Sequence, residues 1–503
     1  MKMKIYRKPI AASLAILLGG CMVGPNYQRP QVSVPQTYHE LPGWTQAQPT
    51  AADGPKGDWW TGFHDPLLDQ LEPLVVVSNQ TVAQEYANYQ QAVAEVQVAR
   101  AGLFPVIGIT GSGTRERSAT GTSSNAAASR GFGNLRTVNN GASLEGNVSW
   151  APDLWGSVRR TIEQNKATAQ ASEATLANAT LSAQVALATA VIELRTSDAN
   201  IDLLQQTVKE FQQSLNVVSA QDQFGTIAPS DVVTARTQLE TAQANLIQLG
   251  VARAQFAHAI AVLVGKNPED LDIAHSTTMP TLPVIPVGVP STILQRRPDI
   301  ATAERQMAAE NESIGIAVAA YYPAVTLSAL DGFTQSPLGG LLHVANYVWS
   351  LGGSATETIF DGGERSGEVA AAKAGYQASV ANYRGTVLTA FEDIENDLSG
   401  LRILGEQATV LDAAVRDAVH GADIALNEYQ AGTVDYTTVA TAQTTALSNQ
   451  QTALSVREQR LLDAASLIGD LGGGWSDSDL HDPRNPGSQP VAAQSGTAKV
   501  VSQ

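Results

Sequence analysis

The sequence predicts an α+β membrane protein made of one structure built twice, with four β-strands in a chain otherwise dominated by very long helices. Three observations carry this expectation. Apolar residues recur in a 3–4 rhythm over stretches far longer than a globule uses. The same series of corner and turn motifs occurs in both halves of the chain. Each half also contains runs in which apolar and polar residues alternate, the signature of a water-filled barrel.

The chain opens on a signal peptide at residues 1–20. Lys2, Lys4, Arg7 and Lys8 form its basic part, Ile10 to Leu18 its apolar part, and Gly19 and Gly20 the small residues before a cleavage site. That apolar stretch is well short of the roughly 20 residues that span a bilayer. Leu18-Gly19-Gly20-Cys21 resembles the lipobox of bacterial lipoproteins. The resemblance implies lipidation of Cys21, with an S-diacylglycerol and an N-palmitoyl group, and no other cofactor. Met22 stands where an aspartate would resemble an inner-membrane retention signal, which favours the outer membrane. Cys21 is the only cysteine, so the chain holds no internal disulfide.

Composition narrows the function classes. A net charge of −17 argues against a nucleic-acid partner. With 6% aromatic and 16% charged residues, and abundant Ala, Gln, Thr and Ser, the chain suits long helices with small contact residues. No stretch beyond the signal peptide is expected to form a transmembrane helix, so crossing a membrane would need a closed β-barrel. The expected organisation is a signal peptide at 1–20, a lipidated leader at 21–58, a first repeat at 59–275, a second at 276–475 and a disordered tail at 476–503.

Heptad runs define the helices. Leu187, Val191, Leu194, Ile201, Leu204, Val208, Leu215 and Val218 form one, and Val232, Ala235, Leu239, Ala242, Leu246 and Leu249 begin another. Val387, Phe391, Ile394, Leu398 and Leu401 form a third, and Leu447, Leu454, Leu461 and Ile468 a fourth. Such spacing asks helices to coil around neighbours. Residues 157–221 and 364–429 lack an interior proline, so each can run about 95 Å at 1.5 Å per residue. The repeat is legible in paired motifs. Asp153-Leu154-Trp155-Gly156 matches Asp361-Gly362-Gly363, Phe224-Gly225-Thr226 matches Ala431-Gly432-Thr433, and Val264-Gly265 matches Leu471-Gly472.

Leu144, Gly146, Val148 and Trp150 alternate with Ser143, Glu145, Asn147 and Ser149, and Val325, Leu327 and Ala329 with Thr326 and Ser328. Further strands are expected before Gly113 and after Trp349, with long loops at 115–141 and 334–348. Glu357 falls on the lipid phase, which places it at the interface or moves the register by one residue. Four strands cannot close a barrel, so several copies are required.

These elements resemble the outer-membrane efflux proteins, in the NodT-like and OprM-like lipoprotein branch related to TolC. The resemblance rests on Gly24-Pro25-Asn26-Tyr27, Trp59-Trp60, Asp65-Pro66-Leu67, Asp153-Leu154-Trp155-Gly156, Arg296-Arg297-Pro298-Asp299-Ile300, Phe360-Asp361-Gly362-Gly363 and Leu471-Gly472-Gly473-Gly474-Trp475, in that order. It implies a homotrimer whose four strands per chain close one 12-stranded barrel, continued by a periplasmic α-helical barrel. It further implies a periplasmic adaptor and an inner-membrane pump, commonly of the resistance-nodulation-division type, with the channel as a passive conduit for drugs or other small molecules.

The same resemblance makes Gly225, Thr226, Gly432 and Thr433, at the two helix-pair tips, the adaptor contacts. It places the periplasmic gate at Thr437 and Thr441, positions where such channels carry an apolar residue and an aspartate. Asp435 lies close enough to supply the missing charge. The glycines also read as helix C-caps, which does not compete with contact. Trp59 and Trp60 are expected to pack the leader onto the helical body rather than to sit in an aromatic belt. The scattered histidines offer no metal spacing, and Gly472-Gly473-Gly474 lacks the lysine of a phosphate loop. A non-conducting coiled-coil lipoprotein is the alternative, which the alternating strands disfavour. A periplasmic enzyme comes third, for want of a nucleophile–base pair.

Overall fold

A computed structural model describes residues 22–35, 37–40, 58–117, 138–285, 293–335 and 340–483. The signal peptide, Cys21, much of the leader and residues 484–503 lie outside the described residues.

The two halves repeat element by element. In the first, a short 3-10 turn at Trp59–Phe63 precedes α1 (Pro66–Ser78), α2 (Gln80–Ala101), β1 (Val106–Arg117), β2 (Val138–Trp150), α3 (Ser157–Gln223) and α4 (Pro229–Leu263). In the second come α5 (Ile293–Arg296), α6 (Pro298–Ala319), β3 (Ala324–Gln335), β4 (Tyr347–Thr356), α7 (Glu364–Gln430) and α8 (Tyr436–Asp470). Helices α2 and α6 each have 22 residues, strands β1 and β3 each 12, α3 and α7 each 67, and α4 and α8 each 35. The counterparts start at 157 and 364, and at 229 and 436, a constant offset of 207.

Local chemistry sets the ends. Asp65 caps α1 by accepting from Leu67 N at 2.8 Å and Leu68 N at 3.3 Å. Asp153 accepts from Val158 N and Arg159 N at 3.0 Å, opening α3, and Asp361 accepts from Gly363 N at 2.9 Å just before α7. Each aspartate also pairs with an arginine of its first turn, Arg159 or Arg365. Pro298 starts α6 with Asp299 beside it, as a helix N-terminus favours. Arg297 meanwhile pairs with Asp299 at 2.8 Å and Asp470 at 3.0 Å.

The chain forms two compact units, each drawing on both repeats. One contains the sheet, antiparallel throughout in the order β1-β2-β3-β4. Leu144 pairs with Phe333, Val148 with Ala329 and Trp150 with Leu327, so these apolar side chains share one face. Ser143 opposite Thr334 and Ser149 opposite Ser328 fall on the other face. The alternation inverts at Leu330 and Asp331, which puts Asp331 on the apolar face, where it accepts from the Tyr347 hydroxyl. Val106–Arg117 and Tyr347–Thr356 are the free edges of the sheet. Glu357 lies beyond the end of β4 and pairs with Arg365 at 3.1 Å, so the strand register stands and the charge leaves the membrane phase.

The other unit has a core of Trp59, Trp60, Phe63, Leu68, Leu71, Leu187, Val191, Leu194, Ile260, Leu461 and Ala464. Trp59 stacks edge-on against Trp60 at 5.9 Å and Phe63 at 6.3 Å, as expected of packing residues.

Three expectations need correction. Helices α3 and α4 are long and apolar enough, by length and composition, to cross a membrane, because alanine, valine and leucine dilute their polar residues. The loops are shorter than expected, since β1 runs to Arg117 and β4 begins at Tyr347. The tail does not lose structure at 476. Ser476 and Asp479 form a capping box, and His481 N donates to Glu173 at 2.9 Å.

Candidate channel tips and gate

Helices α3 and α7 end in the same way. Gly225 (φ +67°) and Gly432 (φ +76°) adopt the left-handed conformation that only glycine takes cheaply. Gly225 N donates to Asp222 O and Thr226 N to Gln221 O; Gly432 N donates to Tyr429 O and Thr433 N to Glu428 O. This paired pattern satisfies the terminal carbonyls. Each threonine then uses its hydroxyl on the same terminal carbonyl, Thr226 on Gln221 O at 2.8 Å and Thr433 on Glu428 O at 2.9 Å. Among the described residues, and apart from each glycine and its two chain neighbours, no atom lies within 4 Å of where a Cβ on either glycine would stand. Four of the expected site residues therefore form two matching, uncovered turns.

The turns belong to one apolar cluster, in which Val218, Ala235, Ala425, Tyr429, Tyr436 and Val439 are buried. Tyr429 and Tyr436 meet edge-on at 5.5 Å. Their hydroxyls reach across repeats, Tyr429 to Gln221 Oε1 at 2.5 Å and Tyr436 to Gln238 Oε1 at 3.2 Å. Gln238 in turn donates to Ala440 O at 3.1 Å. Burial pushes the Tyr436 hydroxyl up to about 12 and raises that of Tyr429, so both remain donors at any physiological pH. Sequence reasoning missed this glutamine–tyrosine bracing, because its partners lie 208 and 198 residues apart.

Of the expected gate residues, Thr437 and Thr441 share one side of α8, one turn apart, and Asp435 stands at its start. Asp435 is its N-cap residue, exposed and making no side-chain cap bond. Thr437 and Thr441 are exposed, and the Thr441 hydroxyl donates to Thr437 O at 2.8 Å. They line an open groove with Gln238, Thr444, Thr445 and Ser448. Thr444 and Thr445 also donate to carbonyls four residues back, each at 2.8 Å. With their protons so engaged, these hydroxyls present oxygen lone pairs to the groove. Among the described residues no His, Cys, Asp and Glu group could hold a metal.

A four-stranded sheet with an apolar face, joined to paired long helices whose tips are braced but uncovered, defines an outer-membrane channel with a helical extension. The chain belongs to the outer membrane efflux protein family, which it matches over residues 73–266 and 289–473. It is 30% identical over 469 residues to the probable efflux pump outer membrane protein TtgC of Pseudomonas putida, covering 92% of this chain and 95% of that one. It is 27% identical over 487 residues to nodulation protein T of Rhizobium leguminosarum bv. trifolii, covering 95% and 98%. The outer-membrane channel OprN has the same fold, with a TM-score of 0.80 and 27% identity over 90% of this chain and all of that one. The chain is thus an outer-membrane efflux channel of the TolC-like fold, in which three four-stranded sheets close one 12-stranded barrel.

Proposed function

We propose that the channel is the passive outer conduit of a tripartite pump, carrying small molecules delivered by an inner-membrane transporter of the resistance-nodulation-division type through a periplasmic adaptor. It performs no catalysis of its own. The observation that carries this reading is the pair of matching turns. Gly225-Thr226 and Gly432-Thr433 are presented alike by both repeats, with open space beside each glycine. A trimer would then offer six near-equivalent contacts to the adaptor.

The groove on α8 is the periplasmic gate in this reading. Thr437 and Thr441 supply acceptor oxygens, and Asp435 supplies one carboxylate per chain. Cys21 carries the lipid, after removal of residues 1–20. The repeats are assigned to 59–275 and 276–475, with 21–58 as the leader and 476–503 as the C-terminal tail. Planar-bilayer recording on the purified trimer tests the conduit. Stepwise conductance that rises when the tips are destabilised is expected. A membrane-bound protein that never conducts, even with altered tips, would establish the coiled-coil stalk instead.

A further inference from the structure

Arg160, in the first turn of α3, is 1% exposed, and four acceptors surround its guanidinium. Nη1 donates to Glu312 Oε2 on α6 at 2.7 Å. Nε donates to the Val23 carbonyl, and Nη2 to the Gly24 carbonyl and Asn26 Oδ1, each at 3.1 Å. Glu312 balances the charge, and the three other bonds are all made to the leader. Asn311 adds a bond from Nδ2 to Pro25 O at 3.2 Å.

The fit is close. Gly24 has φ +89°, and a Cβ there would stand 2.6 Å from Gly315 Cα. Gly156 has φ +85°, and a Cβ on it would stand 2.9 Å from Met22 Cα. Val23 N donates to Trp155 O at 3.2 Å. The Trp155 indole donates to Pro323 O at 2.8 Å and stacks on Tyr322 at 4.8 Å. Ala324, the next residue, begins β3. One tryptophan thus ties the leader to the foot of a barrel strand.

We infer that Arg160 is the positioning residue for the lipid anchor: it holds the residues that follow Cys21 against the Trp155–Tyr322 corner, so that acyl chains enter the membrane at one fixed level beside β3. The inference rests on reading Cys21 as the lipidated residue. Without the clasp, a leader free as far as Tyr27, which packs on Ala167, Ala308 and Ala309, would let the anchor wander by about 13 Å. With it, only the bond from Met22 to Cys21 separates the acylated residue from a held segment. Losing the leader would strand the buried donors of Arg160, which makes the open state costly.

The test uses the full-length protein in outer-membrane vesicles. Once Cys21 is acylated, Met22→Cys gives the only free thiol for a nitroxide label. Its spectrum is compared in otherwise unchanged protein, with Arg160→Gln, and with Gly24→Val, which acts from the leader side and leaves α3 and α6 intact. Heat-resistant trimer and palmitate incorporation are followed alongside. The expected result is an immobilised label that becomes several-fold more mobile in both variants, with palmitate and trimer retained. If Arg160→Gln does not assemble, Gly24→Val decides. A label equally immobile in Gly24→Val, with palmitate present, overturns the positioning role. Absence of palmitate from the unchanged protein overturns the lipid reading, and the anchor with it.

Discussion

The Tyr429 hydroxyl donates to Gln221 Oε1 at 2.5 Å, joining the last turn of α7 to the last turn of α3. Both groups are shielded by the tip cluster, so the bond competes little with water. Tyr429→Phe removes the donor while keeping the edge-on contact with Tyr436. A neutral hydrogen bond of this kind contributes about 1 kcal/mol, or about fivefold in an equilibrium. If the tips gate the channel, open probability in planar bilayers should rise by about that factor. An unchanged open probability would show that the brace does not hold the closed state.

A second prediction concerns pH. Burial, followed by the hydrogen bond and charge of neighbouring Asp470, pushes the Asp397 carboxyl up to about 8. Its Oδ2 is buried and accepts from no donor, which suits a protonated acid donating to Asp470. Burial alone pushes Glu72 up to about 9, and both its oxygens lack donors. In both cases the folded state binds the proton more tightly than the unfolded chain. Their contribution is full below the ordinary carboxylate range, and is lost as pH rises through about 8 for Asp397 and about 9 for Glu72. The thermal dissociation temperature should therefore fall from pH 5 to pH 9. Asp397→Asn and Glu72→Gln should each make that fall shallower. Because Asp397 is partly solvent-screened, the larger change is expected from Glu72.

Gly432→Trp tests the tip surface. The positive φ costs about 1 kcal/mol for any side chain, while the Cβ would enter space free of other described residues within 4 Å, its chain neighbours aside. Trimers should form and conduct, yet drug efflux in cells should drop at least tenfold. Normal efflux would remove Gly432 from the adaptor contact.

Thr441→Asp adds a carboxylate to a groove of hydroxyl oxygens. Cation selectivity should increase and conductance should change if the residue faces the axis. No change in either would place Thr441 off the axis.

If Cys21 carries the proposed lipid, Cys21→Ala removes it but none of the barrel strands. Correct delivery to the outer membrane should fall, while the conductance of channels that do assemble stays constant. An equal loss of conductance per channel would contradict that division.

Much of the fold could be read in the sequence because it depends on local rules. The heptads located four long helices, and the glycines at 225, 265, 432 and 472 ended them, since each end needs a positive φ. The alternation at residues 143–150 predicted the faces that the pairing with β3 confirms. What stayed hidden depends on residues distant in the chain. Nothing near Arg160 announces that Val23 and Gly24 will cover it, and nothing near Asp397 announces Asp470. The inversion at Leu330 and Asp331 was also obscure, because the Tyr347 hydroxyl that satisfies Asp331 lies on another strand. The lengths of α3 and α4 hid their membrane-like composition, since a heptad reading weighs period rather than mean polarity.

The two free edges of the sheet set an order of events. In hydrocarbon, a row of unpaired amide and carbonyl groups along Val106–Arg117 and Tyr347–Thr356 costs several kcal/mol per group. A lone chain therefore cannot enter the bilayer and wait for partners. The three edge-to-edge joints must close before or during insertion, so the rate of appearance in the membrane should depend on a power of unassembled chain concentration greater than one. At low expression the limiting step becomes the meeting of three chains, and a modest fall in supply removes a disproportionate share of working channels.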